Sequence, residues 1–152
     1  MPTYVCSVPN GKLSETQKQD MATAITKRHC DATGAPPFFV QVVIEEEGTS
    51  RRFIGGTITD EYIWIRVDMR SGRSDQQSAQ IMLNIVADVS RISGVPAENV
   101  WINLCKLAPT DMVEYGRVLP KPGEEQQWFE SLPLDLKKRL ESVGVRQEKF
   151  QL

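Results

Sequence analysis

Residues 62–104 read YIWIRVDMRSGRSDQQSAQIMLNIVADVSRISGVPAENVWINL, and this stretch predicts a strand, a helix and a second strand. Tyr62–Val67 is rich in β-branched and aromatic residues, which is typical of a strand. Ser74 and Gln77 have the spacing of a capping box that begins a helix, and Gly94 supplies the helix stop. Between these signals the apolar residues recur at helical spacing, at Ile81, Met82, Ile85, Val86 and Val89.

The same pattern occurs once earlier in the chain. Ser14 begins and Gly34 ends the earlier helix, each 60 residues before its counterpart. Strands are predicted around that helix at 3–8 and 38–44, and the later half closes with a strand at 100–104. A crossover helix makes the two strands of each half parallel. The sequence therefore predicts an α/β (α+β) fold: a tandem βαβ repeat whose four-stranded mixed sheet carries two helices on one face.

One domain is predicted over residues 1–152. Repeat one covers about 2–46, a hairpin arm about 49–58, and repeat two about 60–106. Four prolines break the pattern in the C-terminal extension, residues 109–152. Within this extension short helices are predicted at 124–132 and 134–143, and a frayed polar end at 146–152.

The second face of the sheet also needs to be covered. The predicted strand Phe38–Ile44 is apolar on both faces, which is typical of a strand buried on both sides. Either the C-terminal extension or another subunit could supply the cover, and the sequence slightly favours an oligomer.

Composition excludes several classes of protein. The chain of 152 residues is 40% hydrophobic and 25% charged, with a net charge of −2, which argues against a dedicated nucleic-acid binder. It contains no apolar run long enough for a membrane span. The three cysteines are odd in number and widely spaced, which favours a reducing compartment and predicts a cytoplasmic location. With one histidine and no CxxC motif, we expect no metal site.

Two positions could supply acid and base groups. Removal of Met1 would expose Pro2 as a secondary amine, and an α-amino group titrates near pH 7.7–8.0, roughly at neutrality. Glu114 lies among apolar residues in a segment without a clear period, where a carboxylate could act as a general base. The alternatives are that Pro2 is an ordinary second residue and that Glu114 is a solvated loop glutamate.

Three positions could hold an anion. Arg70 and Arg73 lie in the turn from a strand into a capped helix, where the helix terminus and a guanidinium both favour carboxylate or phosphate. The alternative is a solvated basic turn that pairs with Asp68 or Asp75. His29 continues the apolar stripe of the first helix into its last turn, where a cation is favoured, so it could also be a plain helix-end histidine.

A tandem βαβ repeat that begins Met-Pro resembles the tautomerase superfamily, and within it the cis-3-chloroacrylic acid dehalogenase group. The similarity runs from Pro2 to about Phe129, most of the chain. The matching stretches, with x for a position that is not matched, are Leu13-Ser14, Ala24-Ile25-Thr26, His29, Thr33-Gly34, Gly55-Gly56, Arg70-x-Gly72-Arg73-Ser74, Ile85-Val86-x-Asp88-Val89-Ser90, Met112-Val113-Glu114-Tyr115-Gly116-Arg117, Leu119-Pro120-x-Pro122-Gly123 and Trp128-Phe129.

This resemblance implies a role for each candidate residue. Pro2 matches the catalytic proline, which in the dehalogenases is cationic and protonates the α-carbon of the substrate. Glu114 matches the carboxylate that activates water for attack at the β-carbon. Arg70 and Arg73 match the arginines that bind the substrate carboxylate, and His29 matches the histidine that helps to hold it.

One position departs from the dehalogenases, because Asn103 stands where they have a tyrosine that helps the glutamate to position water. Asparagine can hydrogen-bond, but it is shorter and has no phenolic proton to donate. The resemblance further implies a homotrimer, no cofactor and no metal, and a small carboxylic acid as the substrate.

Three functional hypotheses follow. The first is a cofactor-independent enzyme that hydrates or dehalogenates a small unsaturated acid such as cis-3-chloroacrylate, with Pro2 as acid and Glu114 activating water. The second is a keto–enol tautomerase of a 2-oxo acid of the phenylpyruvate type, with a neutral Pro2 as base. The third is a non-enzymatic binding protein. The first two differ in the resting charge of Pro2.

Overall fold

The computed structural model describes residues 2–143 and confirms the tandem βαβ repeat. The frayed end predicted at 146–152 lies outside the described residues. In chain order the elements are β1 (Thr3–Val8), α1 (Glu15–Thr33), β2 (Gln41–Glu46), β3 (Arg52–Ile54), β4 (Thr57–Thr59), β5 (Ile63–Arg70), α2 (Asp75–Ser93), β6 (Val100–Leu107), β7 (Val113–Glu114), β8 (Arg117–Val118), α3 (Glu125–Glu130) and α4 (Leu134–Glu141).

The main sheet has the strand order β2-β1-β5-β6. The pairs β1–β2 and β5–β6 are parallel, because a crossover helix joins the strands of each pair, while the central pair β1–β5 is antiparallel. The two long helices lie on one face of this mixed sheet and bury their apolar stripes against it, with Met21 and Ile25 from α1 and Ile81, Ile85 and Val89 from α2.

The ends of both long helices follow from local sequence. Ser14 accepts a hydrogen bond from the backbone N–H of Gln17, and the Gln17 side chain accepts one from the backbone N–H of Ser14. The same reciprocal pair forms at Ser74 in α2. Gly34 and Gly94 end the helices with φ of 69° and 74°, a left-handed conformation that glycine adopts without a Cβ clash.

The prediction of a strand at 38–44 is wrong at its start. Pro37–Phe39 forms a single 3-10 turn, and β2 begins only at Gln41. The aromatic residues that suggested a strand pack against the C-terminal extension instead. The Phe39 ring lies 5.5 Å from that of Trp128, and the Phe38 ring stacks 5.5 Å from that of Phe129. Tertiary burial of aromatic side chains therefore outweighs their strand propensity here.

The C-terminal extension builds a second apolar cluster and leaves part of the open face of the sheet uncovered. In this cluster, Phe39 of the 3-10 turn packs with five residues of the extension: Leu119, Trp128, Phe129, Leu132 and Leu140. On the open face, Trp64 and Trp101 remain 39% and 49% exposed, so the second face keeps apolar surface uncovered in the single chain. No helix in residues 2–143 is both long enough and apolar enough to cross a membrane.

Candidate active site

Pro2 lies immediately before β1 and shares the sheet face of Tyr4, because alternate residues of a strand point to the same side. That face is the one covered by α1 and α2, and both residues are buried. The carbonyl oxygen of Pro2 accepts a hydrogen bond of 3.0 Å from the backbone N–H of Gln41, which continues the β1–β2 ladder beyond the strand. Pro2 is thus held at a fixed place at the edge of the core.

His29 forms a hydrogen bond with Tyr4 in the buried core. The Tyr4 hydroxyl oxygen lies 2.9 Å from His29 Nδ1, and both side chains are fully buried. Burial, helped by the nearby positive charge of Arg73, lowers the pKa of His29 to about 3. Burial also raises the pKa of Tyr4, so the phenol keeps its proton. His29 is therefore a neutral buried imidazole and not the helix-end cation that its position in the sequence suggested.

The second ring nitrogen of His29 is left without a partner. Nε2 is buried and makes no hydrogen bond within the described part of the chain. A buried polar atom without a partner costs roughly 1–3 kcal/mol, so such an atom marks a place where a ligand or water is accommodated. We conclude that the site offers one unused hydrogen-bonding position at His29.

Arg73 brings positive charge to the same place, since it acts electrostatically on both Tyr4 and His29. The side chain is partly buried and donates to the Arg70 carbonyl oxygen at 3.2 Å. Burial, together with the charge of Arg70, lowers the pKa of Arg73. Among residues 2–143 no carboxylate forms an ion pair with Arg73, although the charge of Glu125, the partner of Arg70, also acts on it.

Arg70 is engaged by the C-terminal extension. Its side chain is 9% exposed and donates to the Pro120 carbonyl oxygen at 2.7 Å and to the Glu125 carboxylate. The other carboxylate oxygen of Glu125 accepts from the backbone N–H of Gly123 at 2.7 Å. Arg70 and Arg73 thus belong to one turn, but only Arg70 has a carboxylate partner in the described chain.

The pairings considered for this turn with nearby aspartates do not form. Asp68 pairs with Arg66 at 3.1 Å, and Asp75 pairs with Lys106 at 2.6 Å. The alternative of a solvated basic turn is therefore wrong for Arg70, which the extension buries.

Glu114 belongs to β7, in the segment that follows β6. It is partly buried in the β7–β8 hairpin and lines an open cavity of about 780 Å³. Thr3, the residue after Pro2, lines the same cavity together with Gln41 and Asp68. Tyr115, which has a positive φ of 53°, fixes this hairpin by donating to the Phe38 carbonyl oxygen. Glu114 is thereby held near the N-terminal end of β1.

Asn103 does not join this group within one chain. It lies on the open face of the sheet, where its side-chain oxygen accepts a hydrogen bond of 2.7 Å from the Trp64 indole N–H. In the register of the sheet, Asn103 pairs with Arg66. Asn103 is exposed and is not among the residues that line the Glu114 cavity.

The sequence patterns did not point to two residues near the candidate site, Tyr4 and Glu125. Tyr4 could have been found, because it lies two residues after Pro2 on the same strand and therefore shares its face. Glu125 could not, because it lies 55 residues from Arg70 beyond several prolines, and no local pattern links the two. In residues 2–143 no group of three or more His, Cys, Asp or Glu could hold a metal ion.

Comparison with known proteins finds one matching family model and several similar solved structures. The family model described as "Putative oxalocrotonate tautomerase enzyme" matches residues 1–131. The crystal structure of N1, a member of the cis-3-chloroacrylic acid dehalogenase (cis-CaaD) family, is similar with a TM-score of 0.88 and 31% identity; the match covers 93% of this chain and 99% of that one. No curated protein matches the chain.

More distant structures share the fold alone. The F6 fused 4-OT wild type asymmetric trimer is 21% identical with a TM-score of 0.70, over 76% of this chain and 94% of that one. Macrophage migration inhibitory factor of Toxoplasma gondii is 20% identical with a TM-score of 0.66, over 77% and 99% of the two chains.

Proposed function

The chain belongs to the putative oxalocrotonate tautomerase family and to its cis-3-chloroacrylic acid dehalogenase-like members, and from this premise we propose that it hydrates a small unsaturated carboxylic acid. The proposed substrate is cis-3-chloroacrylate or a close analogue, and the reaction uses no cofactor. Pro2, freed by removal of Met1, is the proposed acid, and Glu114 activates water.

A single observation carries the proposal. His29 Nε2 is buried without a partner in the described chain, and the charge of Arg73 acts on the same imidazole. If the Tyr4 hydroxyl donates to Nδ1, the neutral ring carries its proton on Nε2, which is then a hydrogen-bond donor. A neutral donor beside an arginine with no carboxylate partner in the described chain suits a substrate carboxylate.

The proposed reaction begins with water. Glu114 takes a proton from water as the oxygen adds to the β-carbon, and the electron pair of the double bond moves toward the α-carbon and the carboxylate. Arg73 and His29 stabilise the charge that develops on the carboxylate. The Pro2 ammonium then gives a proton to the α-carbon. With chlorine on the β-carbon, the adduct loses chloride and a proton and becomes malonate semialdehyde.

Support for this division of roles comes from the N-terminal end of β1. Pro2 immediately precedes β1, and the cavity that Glu114 lines reaches Thr3, the first residue of β1. Addition across a double bond requires an acid and a base that both reach one bound substrate. We further propose that Asn103, which lacks a phenolic proton, gives slower water attack than a tyrosine would.

Chloride release from cis-3-chloroacrylate tests this proposal. We expect release by the wild type, loss of at least about a hundredfold in Pro2→Ala and Glu114→Gln, and no change in the matched control Glu130→Gln, whose carboxylate is exposed on α3. Intact mass spectrometry should show that Met1 is absent from wild type and Pro2→Ala alike. Wild-type protein that lacks Met1 and releases no chloride would refute the dehalogenase assignment.

A second candidate function is keto–enol tautomerisation of a 2-oxo acid, favoured by the description of the matching family model as an oxalocrotonate tautomerase. Here a neutral Pro2 would move a proton between oxygen and carbon. Ketonisation of phenylenolpyruvate that depends on Pro2, without chloride release, would select this function over the first. The pH dependence of kcat/KM separates the two as well, because one needs the Pro2 amine charged and the other needs it neutral.

We also propose that the protein assembles as a homotrimer. The exposed tryptophans on the open face of the sheet, Trp64 and Trp101, support an assembly that covers this face. Two fused 4-OT structures of the same fold are trimers, which further supports this stoichiometry. Sedimentation equilibrium should give three times the chain mass, and a monomer at micromolar concentration would contradict the proposal.

A further inference from the structure

The buried pair of Tyr4 and His29 joins two rigid elements of the fold. Tyr4 lies in β1, which is paired on both sides, and stands opposite Val42 of β2 and Val67 of β5. His29 lies near the C-terminal end of α1, and its ring meets that of Tyr4 edge to face with the centroids 6.0 Å apart. Because neither side chain is exposed, the hydrogen bond of 2.9 Å between the Tyr4 hydroxyl and His29 Nδ1 has a fixed geometry and no competition from bulk water.

The direction of this hydrogen bond follows from a count of donors and acceptors. Burial raises the pKa of Tyr4, so the phenol keeps its proton, and within residues 2–143 the hydroxyl has one hydrogen-bond partner, His29 Nδ1. If Nδ1 carried the ring proton and donated, the phenol proton and the Nε2 lone pair would both be buried without a partner. If the phenol donates, only the Nε2 proton is left without one. The second arrangement leaves fewer buried groups unsatisfied and is therefore favoured.

The choice between the two arrangements exists only while the ring is neutral. Burial, together with the positive charges of Arg73 and of the amino terminus, lowers the pKa of His29 to about 3, so at pH 7 the imidazole carries a single proton. The ring therefore does not add a further cation to the site. It offers a ligand either a donor or an acceptor at Nε2, and the hydrogen bond from Tyr4 decides which of the two.

We propose that Tyr4 is a positioning residue: by donating to Nδ1 it fixes His29 as the tautomer with the proton on Nε2, which then donates to the carboxylate of the substrate. The inference rests on the carboxylate binding in the proposed function and adds the residue that sets the donor. An ionised carboxylate only accepts hydrogen bonds, so the lone pair of the other tautomer would repel it. With Tyr4 as donor, the imidazole and the arginines of the site present hydrogen-bond donors alone.

Nuclear magnetic resonance of the wild type tests the tautomer directly. His29 is the only histidine in the chain, so long-range proton–nitrogen correlations of its ring identify the protonated nitrogen without ambiguity. We expect the proton on Nε2 at pH 7. A proton on Nδ1 would overturn the inference, whatever reaction the protein catalyses.

Titration with propionate, followed on the same ring signals, tests the role of Tyr4 in binding. Propionate has the carboxylate but no double bond, so its binding does not depend on turnover. Tyr4→Phe should weaken propionate binding by about tenfold, because the donor at Nε2 is no longer fixed. Tyr62→Phe is the matched control and should bind as the wild type does. Tyr62 precedes β5, which runs antiparallel to β1, and therefore lies at the opposite end of β1 from Pro2.

A double variant separates positioning from a general structural effect. If Tyr4 acts through His29, the loss caused by Tyr4→Phe should disappear in a His29→Ala background, where binding is followed on backbone amide signals. An equal loss in both backgrounds would overturn the inference, and so would wild-type ring signals that do not respond to propionate. Chloride release enters none of these measurements, so failure of the dehalogenase assignment is seen separately. Circular dichroism of each variant shows that the comparison is made on folded protein.

Discussion

Acidification from pH 7 to pH 5 should destabilise this fold through one side chain, His29. The imidazole is fully buried, and burial with the charge of Arg73 lowers its pKa to about 3, against about 6.5 in an unfolded chain. Between these two values the unfolded state binds a proton that the folded state does not. Stability is therefore full above about pH 6.5 and is lost as the pH falls through this window.

The size of the effect follows from the two pKa values. One pKa unit corresponds to about 1.4 kcal/mol, so the complete loss below pH 3 is about 5 kcal/mol, of which about 2 kcal/mol is lost between pH 7 and pH 5. Carboxylates with lowered pKa values add to acid unfolding, but mainly below about pH 4, near their unfolded values. Among the side chains, the interval from pH 7 to pH 5 therefore isolates the histidine.

Urea unfolding at several pH values measures this loss, at one protein concentration because assembly would couple to folding. The variant His29→Gln should lose about 2 kcal/mol less than the wild type between pH 7 and pH 5. Since His29 is the only histidine in the chain, its imidazole signals in an NMR titration are unambiguous. A folded-state titration near pH 6.5, or an equal loss of stability in the variant, would refute this account of His29.

Three further predictions concern neighbouring features. Tyr4→Phe leaves the buried Nδ1 of His29 without its partner at 2.9 Å, so urea unfolding should show a loss of about 1–3 kcal/mol. Gly72→Ala forces a left-handed backbone and a contact at 3.0 Å with Pro122, which should cost about 1–3 kcal/mol in thermal unfolding; unchanged stability would mean that the extension moves freely. Asp88→Asn weakens two ion pairs to partly exposed arginines, at 2.6 and 3.2 Å, so the loss should be no more than about 1 kcal/mol and should shrink in high salt.

The repeat could be predicted from sequence because its determinants are local. Ser14 and Gly34 act on backbone groups within one turn, so the bounds of α1 do not depend on the rest of the chain. The strand prediction was wrong at Phe38 and Phe39 for the opposite reason. Their burial depends on Trp128 and Phe129, about 90 residues away, and local propensity carries no information about such contacts.

The residues of the candidate site differ in the same way, because some follow from local sequence and others depend on tertiary contacts. Pro2 and Arg73 could be proposed from residue type, spacing and resemblance, whereas the neutral state of His29 follows only from its complete burial. The engagement of Arg70 by Glu125 depends on how the extension folds back, which the prolines of that segment make irregular. Charge compensation between distant segments was therefore beyond sequence reasoning.

The antiparallel pairing of β1 with β5 at the centre of the sheet relates the two halves by an approximate twofold axis. Such a duplication creates two equivalent ends, one ahead of β1 and one ahead of β5, but a peptide chain has only one amino terminus. A proline ahead of β5 would be an amide, with no lone pair to titrate. If Pro2 is the reactive amine, a chain that joins two βαβ units has one active site, at the end ahead of β1. The equivalent residues ahead of β5 then need not retain any catalytic group.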